Sequence, residues 1–204
     1  MNIFFDLDGT LIDARGRLFQ LFSNITNQTL LDFDDYWELK RATYSNEWIL
    51  LNYFSYNENQ ISRFNSEWFA KIESDEYLSY DHIFPDTAPT LTKISAVHNL
   101  YLLTARQFAN KVEQQLREME IFYFFKKILV TGQKLSKAEL IKLSDIQISD
   151  KDILIGDTGV DIQTAKEVGI RSVAVLSGFR NRAILKKYFP DYILKDIKEI
   201  NQFI

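Results

Sequence analysis

The chain has 204 residues, 46% apolar and 25% charged, with a formal net charge of −4 and no cysteine. That length supports a well-covered core with room for a subsidiary lobe. The charge balance offers no basic patch for nucleic acid or an anionic membrane, and disulfides, thiolate metal sites and cysteine nucleophiles are excluded. No apolar run reaches bilayer-spanning length and no basic region precedes an apolar leader, so a reducing cytoplasm is the expected compartment.

Residues 1–13 read MNIFFDLDGTLID. The apolar run Ile3, Phe4, Phe5 predicts a strand, cut off by the turn Asp6-Leu7-Asp8-Gly9-Thr10. Residues 17–84 contain neither glycine nor proline, and apolar positions there recur at helical spacing: Leu18, Leu21, Phe22, Ile25, then Ile61, Phe64, Trp68, Ile72. This predicts an insertion of several helices. Trp37, Trp48 and Trp68 all fall inside it and are expected to build its core. Pro85 and Pro89 mark the chain leaving it.

From Thr90 onward helix and strand alternate. Strands are predicted over 99–104, 128–130, 152–156, 172–176 and 192–194. One helix face is traced by Val112, Leu116, Met119 and Tyr123, a second helix covers 138–143, and a third carries Ile162, Ala165 and Val168 and closes at Gly169. Short apolar strands alternating with helices imply an α/β fold, a Rossmann-like parallel sheet with helices on both faces. Its core would comprise residues 1–13 and 86–204, with an α-helical domain inserted over 14–85.

In such sheets ligands bind beyond the carboxyl ends of the strands. The first strand ends in Asp6 and Asp8, the second in Thr104, and the 152–156 strand in Asp157, with Asp161 one helical turn further on. Lys134 and Lys137 follow the short third strand. Two acids one residue apart repel unless a cation sits between them. A carboxylate cluster without His or Cys suits Mg²⁺, completed by substrate phosphate oxygens. Asp6 would then attack phosphorus to form an aspartyl-phosphate, and Asp8 would protonate the leaving alkoxide and later take a proton from water. The lysine would offset negative charge, and Thr104 with nearby backbone donors would hold a phosphoryl oxygen.

DLDGT at Asp6–Thr10, LYLLT ending at Thr104, a lysine opening a helix near 137, and IGDTGVD at Ile155–Asp161 together resemble the four motifs of the haloacid dehalogenase superfamily. The resemblance spans almost the whole chain. It points to the phosphatase branch with a helical cap, the phosphoglycolate phosphatase and beta-phosphoglucomutase type. It implies Asp6 as nucleophile, Asp8 as acid/base and Thr104 as the phosphate-binding hydroxyl; Thr10, Ala105, Arg106 and the lysine are further candidates around the phosphate, Arg106 as a departure from the family pattern. Mg²⁺ would be held by Asp6, by Asp8 through its backbone carbonyl, and by Asp157, with Asp161 in support. The insertion over 14–85 would be a mobile cap.

Helix-start reasoning favours Lys137 as the catalytic lysine, with Lys134 the alternative. Arg106 either donates to phosphate or a substrate anion, or is a surface residue at the next helix start. The implied activity is a Mg²⁺-dependent phosphatase for a small phosphorylated metabolite. A phosphomutase on the same core and a binding module without turnover are the alternatives. Asp8 argues against the dehalogenase branch, which has no alkoxide to protonate. Asp13 is expected to cap the first inserted helix, and Arg15 and Arg17 sit where they would reach a substrate. His82 and His98 read as packing residues, Lys40 and Lys71 have no feature marking them for Schiff-base chemistry, and Ser177-Gly178 reads as part of the rim or an ordinary turn.

Overall fold

The apolar segment Asn2–Phe5 forms β1, the centre of a six-stranded parallel sheet in the computed structural model, which describes residues 1–27 and 30–202. On one side lie β4 (Asn99–Thr104) and, at the edge, β5 (Phe125–Val130). On the other lie β6 (Ile153–Gly156), β7 (Arg171–Val175) and β8 (Tyr192–Leu194). Registers such as Phe5↔Leu102 and Phe5↔Ile155 bring the carboxyl ends of β1, β4 and β6 level with one another.

Successive side chains of a strand face opposite ways. Ile3 and Phe5 therefore join one core with Leu102, Ile155 and Val173, under helices α6 (Thr87–Ser95) and α7 (Ala109–Glu118). Phe4 joins the other with Leu103, Leu129 and Leu154, under α8 (Lys137–Leu143) and α9 (Gly159–Val168). A short α10 (Arg182–Lys186) packs Leu185 against Ile162 and Ala174. No helix among the described residues is long and apolar enough to cross a membrane.

Between β1 and α6 the chain leaves the sheet. Two-residue strands β2 (Ile12–Asp13) and β3 (His82–Ile83) pair antiparallel and clasp the exit and return. Between them run α1 (Arg15–Thr26), α2 (Phe33–Arg41), α3 (Asn46–Tyr53), α4 (Glu58–Lys71) and α5 (Asp75–Leu78). Phe22, Tyr36, Trp37, Ile49, Leu50 and Phe64 form their own apolar cluster, with Trp48 and Trp68 against it.

Several boundaries differ from the sequence-based expectation. β5 begins at Phe125, three residues early, because Lys126 and Lys127 interrupt the apolar run on an exposed edge where charge discourages stray pairing. Asp152 stands outside β6 and accepts from the backbone N–H of Asn2 and Ser149. β7 runs one residue earlier than predicted, from Arg171 to Val175. Pro89 lies in the first turn of α6, just after the chain has left the insertion, where a missing N–H goes unnoticed. Asp13 is not the N-cap of α1. Ala14 holds that place, and the Asp13 carboxylate takes the backbone N–H and guanidinium of Arg15.

Phe64 is 2% exposed at the centre of the inserted helices, touching Phe22 edge-on and stacking on Trp68. Phe64→Ala is expected to lower unfolding free energy by about 3–5 kcal/mol in urea titrations. A loss below about 1 kcal/mol would mean that this cluster contributes little.

Candidate active site

The sheet bond from the Asp6 N–H to the Ile155 carbonyl extends β1 by one residue, so the Asp6 side chain leaves the strand at the rim beside β6. The chain then turns tightly, with the amides of Thr10, Leu11 and Ile12 all donating to the Leu7 carbonyl. Gly9 takes φ +87° in this turn, and a Cβ there would strike the Asp157 carboxylate. Asp157 follows β6, fully buried. Asp161 lies in the first turn of α9, where its Oδ2 accepts the backbone N–H and hydroxyl of Thr158.

Lys137 opens α8, whose start is secured by a reciprocal Ser136–Glu139 capping box. Its ammonium lies 2.5 Å from Asp6 Oδ1 and 2.6 Å from Asp161 Oδ1. Among the described residues it is the one lysine paired with Asp6; Lys134 is exposed in the turn before the helix. Carboxylate oxygens of Asp6, Asp157 and Asp161 all lie within 4.8 Å of one another. Opposite ligands of an octahedral Mg²⁺ stand roughly 4.2 Å apart.

Burial drives the Asp6 carboxyl up to about 7, with the charges of Asp161 and Asp8 adding and Lys137 opposing. Asp157 is raised well above the ordinary range by burial and by its neighbours Asp6 and Asp161. Its Oδ2 accepts from the Phe179 N–H at 2.5 Å, whereas its buried Oδ1 has no hydrogen-bond partner. A desolvated carboxylate oxygen left open beside two more acids is what an oxygen-ligated divalent cation satisfies, so these residues fit such an ion. Lys137 shows the converse balance. Burial alone would lower its pKa, but the two carboxylates hold it above the usual lysine value.

Asp8 points elsewhere. Its carboxylate is gripped by Arg106 through Nε at 2.6 Å and Nη2 at 2.7 Å, and by Arg17 Nη2 at 2.5 Å. Both arginines also meet Asp81, at 3.0 Å from Arg106 and 3.1 Å from Arg17. Gln115 Nε2 donates to Asp81 Oδ2 at 2.9 Å. Burial alone would raise Asp8, but Arg106 and Arg17 bring it down to about 2. Arg106 is therefore not a surface residue; its side chain donates to the two carboxylates and to Gln115 Oε1 at 3.4 Å, while its buried Nη1 has no hydrogen-bond partner among the described residues. The Asp8 side chain makes no part of the acidic trio.

Thr104 is buried at the end of β4, and its hydroxyl accepts weakly from the Arg106 N–H at 3.4 Å. Ala105 is exposed at the rim. The Thr10 hydroxyl lies 3.5 Å from Asp6 Oδ2, and the Ser177 hydroxyl donates to the Gly9 carbonyl. Ser177-Gly178 thus belongs to the rim. Glu73, at the end of the inserted helices, accepts from the backbone N–H of Gln107 and Phe108. Sequence reasoning passed over Glu73, Asp81 and Gln115. Arg17 did carry a signal, being a charge four residues before Leu21 on the apolar face of α1. A cavity of about 400 Å³ opens over Asp6, Asp8, Thr104 and Lys137.

Residues 3–175 match the family model for haloacid dehalogenase-like hydrolases. The chain belongs to that family. This haloacid dehalogenase-like hydrolase is 24% identical over 206 residues to pyrophosphatase PpaX of Oceanobacillus iheyensis, covering 98% of this chain and 94% of that one. Its structure aligns with a haloacid dehalogenase-like family hydrolase from Streptococcus pneumoniae at 27% identity and TM-score 0.77, over 99% of this chain and 97% of that one. A Clostridium difficile protein provisionally assigned as a phosphatase aligns at 22% identity and TM-score 0.83, over the same shares.

The raised Asp6 gives a pH prediction. A carboxyl whose folded-state pKa lies above its unfolded value of 3.8 removes stability as pH rises from that value through about 7. A cation binding the ionised form restores it. Metal-free protein should therefore lose thermal stability between about pH 4 and 7, and Mg²⁺ at about 100 times its Kd should return roughly 2.7 kcal/mol at pH 8. Scanning calorimetry should show a smaller gain at pH 5; equal gains would contradict the assignment.

Proposed function

We propose that this hydrolase is a Mg²⁺-dependent phosphatase acting on a small phosphorylated metabolite through an aspartyl-phosphate on Asp6. The observation that carries the reading is the meeting of Asp6, Asp157 and Asp161 within 4.8 Å, with Lys137 on Asp6 and an open Asp157 oxygen beside it. Asp6, Asp157 and the Asp8 backbone carbonyl would hold the ion, with Asp161 steadying Lys137. Bound there, the cation supplies charge neutralisation for the phosphoryl oxygens and favours ionised Asp6.

An Asp6 oxygen attacks phosphorus as the ester P–O bond breaks, and Asp8 gives its proton to the departing alkoxide. Water then attacks the aspartyl-phosphate, Asp8 takes a proton from it, and the bond to Asp6 breaks to release phosphate. Lys137 balances charge at Asp6, while Thr104 and Ala105, which line the cavity at the end of β4, face the phosphoryl oxygens. Asp8 as held by the two arginines is the proton-accepting form of the second step. For the first step it turns from them toward the leaving oxygen. The inserted helices, residues 14–85, act as a cap: Leu18, Trp68, Ile72 and Glu73 from them line the cavity above the acids. The lack of cysteine suits a reducing cytoplasm.

With p-nitrophenyl phosphate and Mg²⁺ the protein should release p-nitrophenol, and Asp6→Asn should reduce the rate at least about a thousandfold with an unchanged circular dichroism spectrum. Asp8→Asn should retain more activity on this ester, whose leaving group needs little protonation, than on an alkyl phosphate. Substantial turnover by Asp6→Asn would end the covalent reading.

A further inference from the structure

Arg17 and Arg106 meet on the Asp8 carboxylate in the wall of the cavity, one carried by α1 and the other by the segment after β4. Their side chains are only 3% and 4% exposed, and both are fixed by groups other than Asp8. Asp81 lies 3.1 Å from Arg17 Nε and 3.0 Å from Arg106 Nη2. Gln115 Oε1 accepts from Arg106 Nη2 at 3.4 Å, and the Ile72 carbonyl accepts from Arg17 Nη1 at 3.4 Å. Among the described residues, Arg106 Nη1 and Arg17 Nε make no hydrogen bond, so the pair holds more donors than its two carboxylates use. An acid that hands its proton to the leaving oxygen must come away from these donors, and it carries no charge while it does so. Two buried guanidiniums are then left with Asp81 alone, and a buried charge deprived of its partner is strongly destabilising. The other carboxylates of the wall do not replace Asp8: Asp6 is engaged by Lys137, and Glu73 accepts from the amides of Gln107 and Phe108.

We infer that Arg17 and Arg106 form an anion seat, which Asp8 fills in the free protein and which a second anionic group, borne by the leaving alcohol, takes from it as the substrate binds; the inference rests on the phosphatase reading. The ester oxygen that Asp8 protonates joins phosphorus to that alcohol, so a carboxylate or phosphate a few bonds further on is delivered beside the Asp8 carboxylate. Exchange keeps the charge of the seat constant, while Asp81 and Gln115 hold the guanidiniums in place. Planar guanidiniums suit it, since they donate in pairs to carboxylate and phosphate alike. Asp8, displaced, turns to the leaving oxygen, so the anion raises kcat as well as affinity. When the alcohol departs it takes its anion with it, and Asp8 returns to the seat as the proton acceptor of the second step. Arg17 and Arg106 thereby determine specificity, and Asp81 is a positioning residue behind them.

The test compares phosphoglycolate, its neutral amide and ethylene glycol bisphosphate, all esters of primary alcohols, with Mg²⁺ present. Whichever anionic ester exceeds the amide by about tenfold or more in kcat/KM, with part of the gain in kcat, identifies the anion of the seat as carboxylate or phosphate. If the amide is hydrolysed as well as both, the inference is overturned and the phosphatase reading stands. In Arg17→Gln the preference should disappear; its survival there overturns the inference, and a variant that does not fold leaves the wild-type comparison to decide. Calorimetry of the Mg²⁺-loaded protein separates exchange from plain attraction. Phosphonoacetate should bind about tenfold tighter than phosphonoacetamide, and Asp8→Asn, which vacates the seat, should widen that ratio by about tenfold. Glu73→Gln removes an equal charge from the same wall without freeing an arginine, and should widen it by no more than about twofold. Equal widening in the two variants, or none in Asp8→Asn, overturns the inference. Should no ester be hydrolysed, the phosphatase reading fails and the phosphonates alone decide whether the seat exists: tighter phosphonoacetate upholds it, equal affinity overturns it.

Discussion

Three carboxylates brought together out of water, with one ammonium among them, are the constraint from which the site follows. Asp6, Asp157 and Asp161 repel one another in a place where solvent screens little, and Lys137 compensates for only part of that. Such an arrangement persists because the surrounding fold over-determines it. Asp6 is tied into the sheet by its own backbone, Asp161 is held in a capping interaction, and Lys137 is planted at a helix start with its own capping box. The energy stored in the unmet Asp157 oxygen and the raised Asp6 carboxyl is energy that a divalent ion can recover.

The second pole of the site is a charge quartet that joins the two parts of the chain. Asp8 and Arg106 belong to the sheet, Arg17 to the first inserted helix, and Asp81 to the returning segment. The side chain proposed as acid/base is therefore in direct contact with the helices above it. Any displacement of those helices must rearrange the partners of Asp8, which connects access to the cavity with the chemistry at its floor.

Much of this was legible because the site acids are local anomalies. Asp6 and Asp157 each interrupt an apolar strand where a neutral residue would be expected, and a short-range pattern suffices to show it. The long glycine- and proline-free stretch announced the helices in the same way. What stayed hidden depends on tertiary neighbours. Asp81 lies in a polar segment that looks solvated, Glu73 meets its backbone partners 34 and 35 residues away, and Arg106 reads like any helix-start arginine until Asp8 and Asp81 close on it. β5 runs longer than its apolar run suggests because its edge position permits lysines that mask its period.

The central claim is that acids from the ends of β1 and β6 share one divalent ion. Titration of Mn²⁺ followed by electron paramagnetic resonance measures this directly, since free and bound ion are distinguished without reference to turnover. One tight site per chain is expected, lost in Asp6→Asn and equally in Asp157→Asn. Undiminished Mn²⁺ binding by Asp157→Asn would show that the two strand ends do not hold a common ion.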